Sequence, residues 1–301
     1  MHQLSVFIRQ NASICNFGTE DSWVVLSPIE QRIKVKIEAV GTPLKDWDIQ
    51  INYGIKTGFN EAFIIDGQKR KELIENDPKS DEIIRPLLRG RDIKRYGYEF
   101  ADLYLLFVPW HFPFHNDSSI TGASQKAEQA FQQQYPTIYN HLLKYKKELS
   151  ARNKAETGIR YEWYALQRWG ANYWEDFSKQ KIIFQEMVQE PSFMLDNEGF
   201  FFCLDTGRII TGNDIKYIIA VLNSKLFFFA IKNFYGGGGL GETGVRMKHT
   251  FFEKFSCPLF DTEIKQQIEE ILQQKDYKEI DNLVYEMYSL SEEEIRIIDF
   301  Q

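Results

Sequence analysis

The chain of 301 residues is long enough to bury a substantial core, and a content of 43% hydrophobic and 26% charged residues is typical of a globular protein. Its net charge of −7 argues against a protein that coats nucleic acid over its whole surface, so any nucleic-acid contact needs a local patch of cations. The three cysteines, Cys15, Cys203 and Cys257, match neither a disulfide framework nor a zinc pattern and favour a reducing, cytoplasmic location. The first residues show no secretion-signal pattern, and no apolar run has the length of a membrane span.

The first element with a clear pattern is a capped helix at 27–41. Ser27 suits the N-cap, Pro28 suits the first helical position, and Glu30 completes a capping box. Apolar residues then recur on one face until Gly41, a residue suited to end a helix.

Two glycine-bracketed, cation-bearing turns follow between residues 52 and 98. The first lies between a predicted strand at 47–53 and a predicted partner strand at 62–65, and the second follows a short apolar run. Donors on a glycine turn beside an arginine cluster suit phosphate oxygens and the edges of guanine. The alternative, which composition alone favours, is a surface loop followed by a solvated basic helix end. The cationic and polar side chains of the two turns are Lys56, Thr57, Asn60, Arg89, Arg91, Lys94 and Arg95.

The middle of the chain predicts a buried strand at 103–110 and polar helices between 121 and 150. A basic edge that includes Arg152 follows; such an edge is most often a solvated face, although it also suits contact with phosphates. Aromatic side chains then alternate with glutamine and arginine around Tyr161, Trp163 and Gln167, in a run that includes Arg168. These side chains could stack on bases and read base edges, or they could line a core.

A predicted strand at 181–184 is followed by polar side chains. Glutamine suits the N6 and N7 atoms of adenine, which makes Gln185 and Gln189 candidates for reading bases. The segments 193–195 and 200–204 are predicted to pair as a hairpin.

The glycine-rich segment at 236–244 matches the dinucleotide-binding pattern G-x-G-x-x-G in spacing only. That site needs a strand before the turn and a helix after it, and the sequence predicts neither. We instead expect a loop whose backbone approaches DNA closely, with Thr243 in the loop and Arg246 and Lys248 just beyond it. From residue 261 onward the pattern predicts helices.

Several of these segments together resemble one known family. The runs GIKTGFNEAF at 54–63 and EIIRPLLRGRDIKRY at 82–96 are similar to the TaqI-like C-terminal specificity domain. This domain is the target-recognition part of adenine-specific DNA methyltransferases and of type IIG restriction-modification enzymes. The resemblance continues through YEWYALQ at 161–167 and KIIFQEMVQEPSF at 181–193 to the tail at 279–299, so it covers nearly the whole chain.

The resemblance implies a module that binds double-stranded DNA by sequence and delivers a target adenine to a methyltransferase domain. That domain would lie N-terminal to this chain or in a separate subunit and would bind S-adenosylmethionine, so no cofactor or metal is expected in this chain. The residues themselves include no Asn/Asp-Pro-Pro-aromatic loop for a flipped base and no strand–glycine turn–helix for S-adenosylmethionine. Whether the parent protein also cleaves DNA stays open.

We therefore expect an α+β fold of small, twisted, mostly antiparallel sheets with packed helices. Residues 1–260 would form the DNA target-recognition domain, and residues 261–301 a helical C-terminal tail. Two alternatives remain: an enzyme, such as a nuclease or a transferase, with an unrecognised site, or a protein-interaction module that uses its acidic surface and an apolar stripe in the tail. The candidate DNA-binding residues are Lys56, Thr57, Asn60, Arg89, Arg91, Lys94, Arg95, Tyr161, Trp163, Gln167, Gln185, Gln189, Thr243, Arg246 and Lys248.

Overall fold

The structure, a computed structural model that describes residues 26–238 and 244–300, has the α+β architecture expected from the sequence. Its helices and strands form two compact units. The central unit contains residues 50–185 and 192–213. The terminal unit contains residues 186–191 together with the described residues that precede 50 and those that follow 213.

Short strands and short helices alternate along the chain. The strands are β1 (Thr42–Pro43), β2 (Ile49–Tyr53), β3 (Ile64–Asp66), β4 (Ile84–Leu88), β5 (Ile93–Lys94), β6 (Gly97–Tyr98), β7 (Leu103–Leu106), β8 (Lys181–Gln185), β9 (Met187–Val188), β10 (Phe193–Asp196), β11 (Phe202–Cys203), β12 (Gly207–Gly212), β13 (Val245–Arg246) and β14 (Ser256–Cys257). The α-helices are α1 (Pro28–Ala39), α2 (Asn60–Phe63), α3 (Gly67–Asn76), α4 (Gln125–Gln134), α5 (Pro136–Leu143), α6 (Lys146–Ala151), α7 (Ile215–Leu222), α8 (Lys225–Asn233), α9 (His249–Phe252), α10 (Thr262–Gln274), α11 (Tyr277–Met287) and α12 (Glu292–Asp299).

The first four-stranded sheet of the central unit has the strand order β10–β8–β12–β2. Its strand β8 pairs antiparallel with both β10 and β12, and Ile182, Ile183 and Phe184 are fully buried. Such β-branched and aromatic residues fit a central strand. The predicted pairing of 47–53 with 62–65 is wrong, because β2 lies beside β12 while the second segment forms the turn of helix α2 and then enters β3, which pairs with β7.

The second four-stranded sheet of the central unit has the order β11–β4–β7–β3, and β11 runs parallel to β4. The predicted hairpin of 193–195 with 200–204 is therefore wrong, since β10 and β11 belong to different sheets. The carboxylate of Asp196 explains the change of direction. It accepts the backbone N–H groups of Phe200 (3.1 Å) and Phe201 (2.8 Å) and forms a buried ion pair with Lys181 (2.6 Å), so the chain turns away after β10.

In the terminal unit, α1 lies beside the C-terminal helices. Helix α1 begins with the predicted capping box, in which the Ser27 backbone N–H donates to Glu30 Oε2 at 2.7 Å. An ion pair of 2.7 Å between Lys36 Nζ and Glu294 Oε2 joins α1 to α12. Ile280 and Val284, from the apolar stripe of the tail, are buried within this unit, so the stripe serves internal packing. None of the described helices is both long and apolar enough to cross a membrane.

Candidate nucleic-acid interface

Three strands of the first sheet end or begin side by side at one end of that sheet. The backbone N–H of Gly54, just after β2, donates to the carbonyl oxygen of Gly207 at the start of β12 (3.1 Å). Gly207 in turn lies directly opposite Gln185, the last residue of β8. The first glycine turn and the predicted base reader Gln185 are therefore near neighbours in space, although they are far apart in the chain.

The second glycine turn lies against the same end of the sheet. A Cβ atom added at Gly90 would lie 2.2 Å from the side-chain amide carbon of Gln185, so the second turn and this amide are in close contact. We call the combined region the sheet-end surface. It consists of Tyr53 with residues 54–60, 89–92, 167–168, 185 and 207–208.

A buried arginine holds the first turn in place. The Arg152 guanidinium donates to the carbonyl oxygens of Leu149 (3.0 Å), Thr57 (2.5 Å), Trp163 (2.8 Å) and Ala165 (2.7 Å). Burial lowers the pKa of Arg152 to about 10, which leaves it protonated at neutral pH. Arg152 is thus not part of an exposed basic edge, as the sequence suggested, but a core residue that fixes the backbone of the turn.

The side chains of the first turn divide into an inward and an outward set. Thr57 is 2% exposed, and its hydroxyl donates to Asn60 Oδ1 (2.6 Å) and accepts the Phe59 N–H (3.2 Å). Thr57 therefore positions Asn60 and does not itself face a ligand, which corrects its assignment as a DNA contact. Lys56 and Asn60 are exposed.

An exposed arginine lies directly beside Lys56. Lys56 and Arg168 form an antiparallel bridge in which each backbone N–H donates to the other residue's carbonyl oxygen at 2.9 Å. The guanidinium carbon of Arg168 lies 5.1 Å from the ring centroid of Tyr53, and that of the buried Arg208 lies 3.9 Å from the same ring. The end of the sheet thus carries two adjacent exposed cations with an ordered arginine–tyrosine contact next to them.

In the second turn, Arg89 and Arg91 have different environments. Arg89 Nε and Nη2 donate to the two carboxylate oxygens of Asp92 at 2.9 and 2.8 Å. Burial alone would raise the pKa of Asp92, but the hydrogen bonds and charge of Arg89 outweigh it and lower that pKa below its usual range. The positive charge of Arg89 is therefore offset by the carboxylate of Asp92 inside the turn, whereas Arg91 is exposed and available to a ligand.

The other two cations of the second cluster lie on the hairpin of β5 and β6. Lys94 Nζ is 3.6 Å from a carboxylate oxygen of Glu99, and the Arg95 guanidinium carbon lies 5.6 Å from the Tyr96 ring centroid. Both side chains are partly exposed. They supply positive charge next to Arg91 in sequence, with part of the Lys94 charge offset by Glu99.

Two of the predicted aromatic readers belong to the core. Tyr161 is fully buried and stacks on Trp110 with ring centroids 4.6 Å apart. Trp163 is 7% exposed and donates its Nε1–H to Glu128 Oε1 (2.7 Å). Neither ring is accessible for stacking on a base, so we correct both assignments to packing residues. Gln167 is partly exposed and lies against Gly58.

Three more of the predicted contacts, Gln189, Arg246 and Lys248, lie in the terminal unit. Strand β13 pairs with β9, and Arg246 Nε donates to Glu186 Oε1 at 2.8 Å. Arg246 is exposed and Lys248 is partly exposed. Thr243 lies outside the described residues.

Gln189 lines an open cavity of about 160 Å³ in the terminal unit. Lys225, Phe228 and Lys232 line the same cavity, and Lys225 Nζ forms an ion pair with Asp299 Oδ1 (2.8 Å). Gln189 is thus exposed at the mouth of a mixed apolar and charged depression.

The family of the chain follows from its central segment. Residues 85–239, just over half of the chain, match the family described as the TaqI-like C-terminal specificity domain. The chain belongs to this family. The resemblance found in the sequence is confirmed, and the specificity domain has a DNA-recognition role in restriction-modification enzymes.

Two curated relatives of this specificity domain are type II methyltransferases. M.MjaIV of Methanocaldococcus jannaschii is 25% identical over 248 residues, which cover 78% of this chain and 74% of that protein. M.BstVI of Geobacillus stearothermophilus is 22% identical over 291 residues, which cover 94% of this chain and 47% of that protein. The specificity domain therefore spans about half the length of M.BstVI.

A solved structure has the same fold. The type IIL restriction-modification enzyme MmeI, determined in complex with DNA, matches the specificity domain with a TM-score of 0.55 at 15% sequence identity. The match covers 86% of this chain and 35% of the MmeI chain. At this identity the similarity supports the fold alone.

Sequence reasoning missed part of the sheet-end surface of the specificity domain. Tyr53 is the last residue of an alternating strand and precedes Gly54, so its place beside the first turn could have been predicted from the sequence. Arg168 lies next to the selected Gln167, but nothing in the local pattern distinguishes the two. Arg208 has no signal of its own, because only the pairing of β12 in the sheet brings it to Tyr53.

Proposed function

We propose that this chain reads a short DNA sequence for a type II restriction-modification methyltransferase and that it does so with the sheet-end surface. The observation that supports this most is the convergence of two cation-bearing glycine turns and Gln185 at one end of a sheet, in a member of a specificity-domain family. Irregular turns on a rigid sheet suit a surface that recognises a DNA sequence, because the sheet fixes the positions of the turns while the turns supply the contacting groups.

The exposed groups of this surface suit two kinds of contact. Lys56 and Arg91 suit phosphate oxygens, which set the position of a protein on the duplex without reading its sequence. The amide groups of Gln185 and Asn60 suit the N6 and N7 atoms of adenine in the major groove. Gln167 adds a third amide next to Gly58. The proposed division is therefore cations for position and amides for sequence.

The distribution of charge along the chain is consistent with a local DNA footprint. Residues 261–301 contain twelve acidic and four basic residues and therefore have a net charge of −8. Because the whole chain has a net charge of −7, residues 1–260 have a net charge of +1. A strongly acidic segment repels the phosphate backbone. The DNA contacts are thus expected outside the tail.

In the whole protein, the target base would be an adenine that is methylated at N6 by a separate methyltransferase domain or subunit with bound S-adenosylmethionine. The type II methyltransferases M.MjaIV and M.BstVI support a methyltransferase parent. This chain would then supply recognition rather than chemistry, in the cytoplasm where the cell's DNA is methylated. Methylation of a duplex by the whole protein, followed by identification of the modified base, tests this part: a modified cytosine would contradict the adenine assignment.

Recognition by this chain is tested by selection from a randomised duplex library, carried out with the whole protein and with the 301-residue chain. We expect enrichment of one short motif and binding that weakens steeply as the salt concentration rises, because cations release counterions from the phosphates they contact. Enrichment without any shared motif, or absence of binding by the whole protein, would contradict the proposal.

A further inference from the structure

The bridge between Lys56 and Arg168 places two positive side chains directly opposite each other. In an antiparallel bridge with both hydrogen bonds formed, opposite side chains leave the same face with Cβ atoms roughly 5 Å apart. Like charges in this arrangement repel each other and destabilise the bridge. The chain thus maintains an unfavourable contact at an exposed position.

No neighbouring carboxylate offsets this repulsion within residues 26–238 and 244–300. Neither Lys56 Nζ nor the Arg168 guanidinium has a carboxylate oxygen within 4.0 Å among these residues. Some exposed cations of the protein have such a partner, for example Lys179 with Asp176 (2.7 Å), whereas Lys147 and Lys154 have none among the described residues. What distinguishes the pair is that its two uncompensated charges lie directly opposite each other in a bridge.

The backbone and one side chain of the pair are held in place before any ligand binds. Arg152 donates to the carbonyl oxygen of Thr57, next to Lys56, and the two bridge hydrogen bonds of 2.9 Å fix Arg168 against that turn. The Tyr53 ring lies 5.1 Å from the Arg168 guanidinium carbon, which restricts the motion of that side chain. Ordering these groups in advance reduces the entropy lost on binding.

We propose that Lys56 and Arg168 form a clamp for a single phosphate of the DNA backbone. One anion between the two cations would remove their mutual repulsion and accept charge-assisted hydrogen bonds from both, and the planar arginine fork suits phosphate oxygens. The clamp rests on the proposed function, since the phosphate is that of the duplex read by the sheet-end surface. It assigns Arg168, and not Lys56 alone, to binding.

The test compares the wild-type chain with Lys56→Gln, Arg168→Gln and the double variant, using a fluorescent duplex of mixed sequence. Each single variant is expected to bind roughly tenfold more weakly, because a charge-assisted hydrogen bond to phosphate is lost. The slope of log affinity against log salt is expected to fall by about one. The double variant should lose less than the product of the two single losses, because both cations hold the same phosphate.

Thermal unfolding distinguishes a clamp from a merely structural pair. Without anions, Lys56→Gln should melt at the same temperature as the wild type or slightly higher, because the repulsion is removed. Arg168→Gln also loses the contact with the Tyr53 ring, so this variant is judged by its response to phosphate. Inorganic phosphate should raise the melting temperature of the wild type more than that of either variant. Lys278→Gln and Arg296→Gln, which remove one exposed cation each from the tail, are the matched controls. They should weaken binding only slightly, through the more negative charge of the tail, and should not change the response of the melting temperature to phosphate.

The outcomes separate the clamp from the function on which it rests. A wild-type chain and whole protein that bind no duplex would overturn both. Normal wild-type binding with variants that match the tail controls would overturn the clamp alone. Independent losses of affinity in the double variant would also overturn the clamp, as would a loss of affinity that depends on one base at one position. A lower melting temperature of Lys56→Gln without anions would do the same.

Discussion

At the scale of single residues, a buried arginine accounts for the conformation of the first glycine turn. Among the described residues, Arg152 donates to main-chain carbonyl oxygens alone, and its guanidinium also lies within 6 Å of the Phe63 and Tyr161 rings. Four carbonyl groups from separate parts of the central unit thus depend on one side chain. Buried carbonyls without a donor are costly, so this residue links the stability of the core to the position of the turn.

Replacement of Arg152 by alanine is expected to lower the free energy of unfolding by about 3 kcal/mol, because its carbonyl partners lose their donor and a cavity remains. Urea denaturation of the chain measures this. Lys154→Ala, two residues away and exposed, is the control and should stay within about 0.5 kcal/mol of the wild type. Equal effects of the two substitutions would mean that Arg152 does not hold the turn.

Substitution of Arg89 is expected to affect stability, whereas substitution of Arg91 is expected to affect DNA binding. Arg89→Ala should lower the free energy of unfolding by about 1–2 kcal/mol, since it leaves the buried carboxylate of Asp92 without its bidentate partner. Arg91→Ala should leave stability unchanged and weaken binding to duplex DNA. Denaturation and binding curves for both variants check this, and a binding loss confined to Arg89→Ala would contradict it.

The Arg89–Asp92 pair also predicts a dependence of stability on pH. The pKa of Asp92 is lower in the folded state than in the unfolded state, so the pair stabilises the fold at neutral pH. This contribution is complete above the unfolded-state pKa of about 3.9 and is lost as the pH falls through the lower folded-state value. The difference in unfolding free energy between wild type and Asp92→Asn should therefore shrink as the pH falls below about 4; a constant difference down to pH 2 would exclude the pair as its source.

At the scale of elements, the close approach of the first turn to β11 depends on one glycine. A Cβ atom at Gly54 would overlap the carbonyl oxygen of Leu204, which is main chain and cannot move aside easily. Gly54→Ala should therefore cost at least about 2 kcal/mol of stability by forcing the two segments apart. Gly97→Ala is the matched control, because a Cβ there would meet nothing within 4 Å, and thermal melting of both variants measures the contrast.

Local signals predicted the elements themselves better than their pairing. The capping box at Ser27 and Glu30 and the run of β8 depend on neighbouring residues, and both were found. The neighbours of β2 and β11 depend on contacts between distant segments, such as the carboxylate of Asp196 that turns the chain toward β4, and no local pattern encodes them. The same reason explains which parts of the candidate site could be predicted. The glycine turns follow from neighbouring residues, but the burial of Arg152 depends on contacts with distant segments.

At the scale of the whole molecule, the excess negative charge is concentrated in the C-terminal helices. Exposed carboxylates there, such as those of Glu263 and Glu286, lower the local concentration of DNA through long-range repulsion. Replacing both by glutamine should strengthen binding to duplexes of unrelated sequence at low salt, and the gain should vanish at high salt because screening shortens the range of the interaction. The preferred motif should not change; an altered motif would show that the tail takes part in reading bases.

The exclusive use of main-chain oxygens by Arg152 has a consequence for how such a protein changes its target. Every amino acid supplies the same carbonyl group, so this anchor does not depend on the side chains at the exposed positions beside it. The amide side chains at 60 and 167 can then be exchanged while the backbone that carries them stays in place. A new recognition site therefore needs no redesign of the scaffold beneath it.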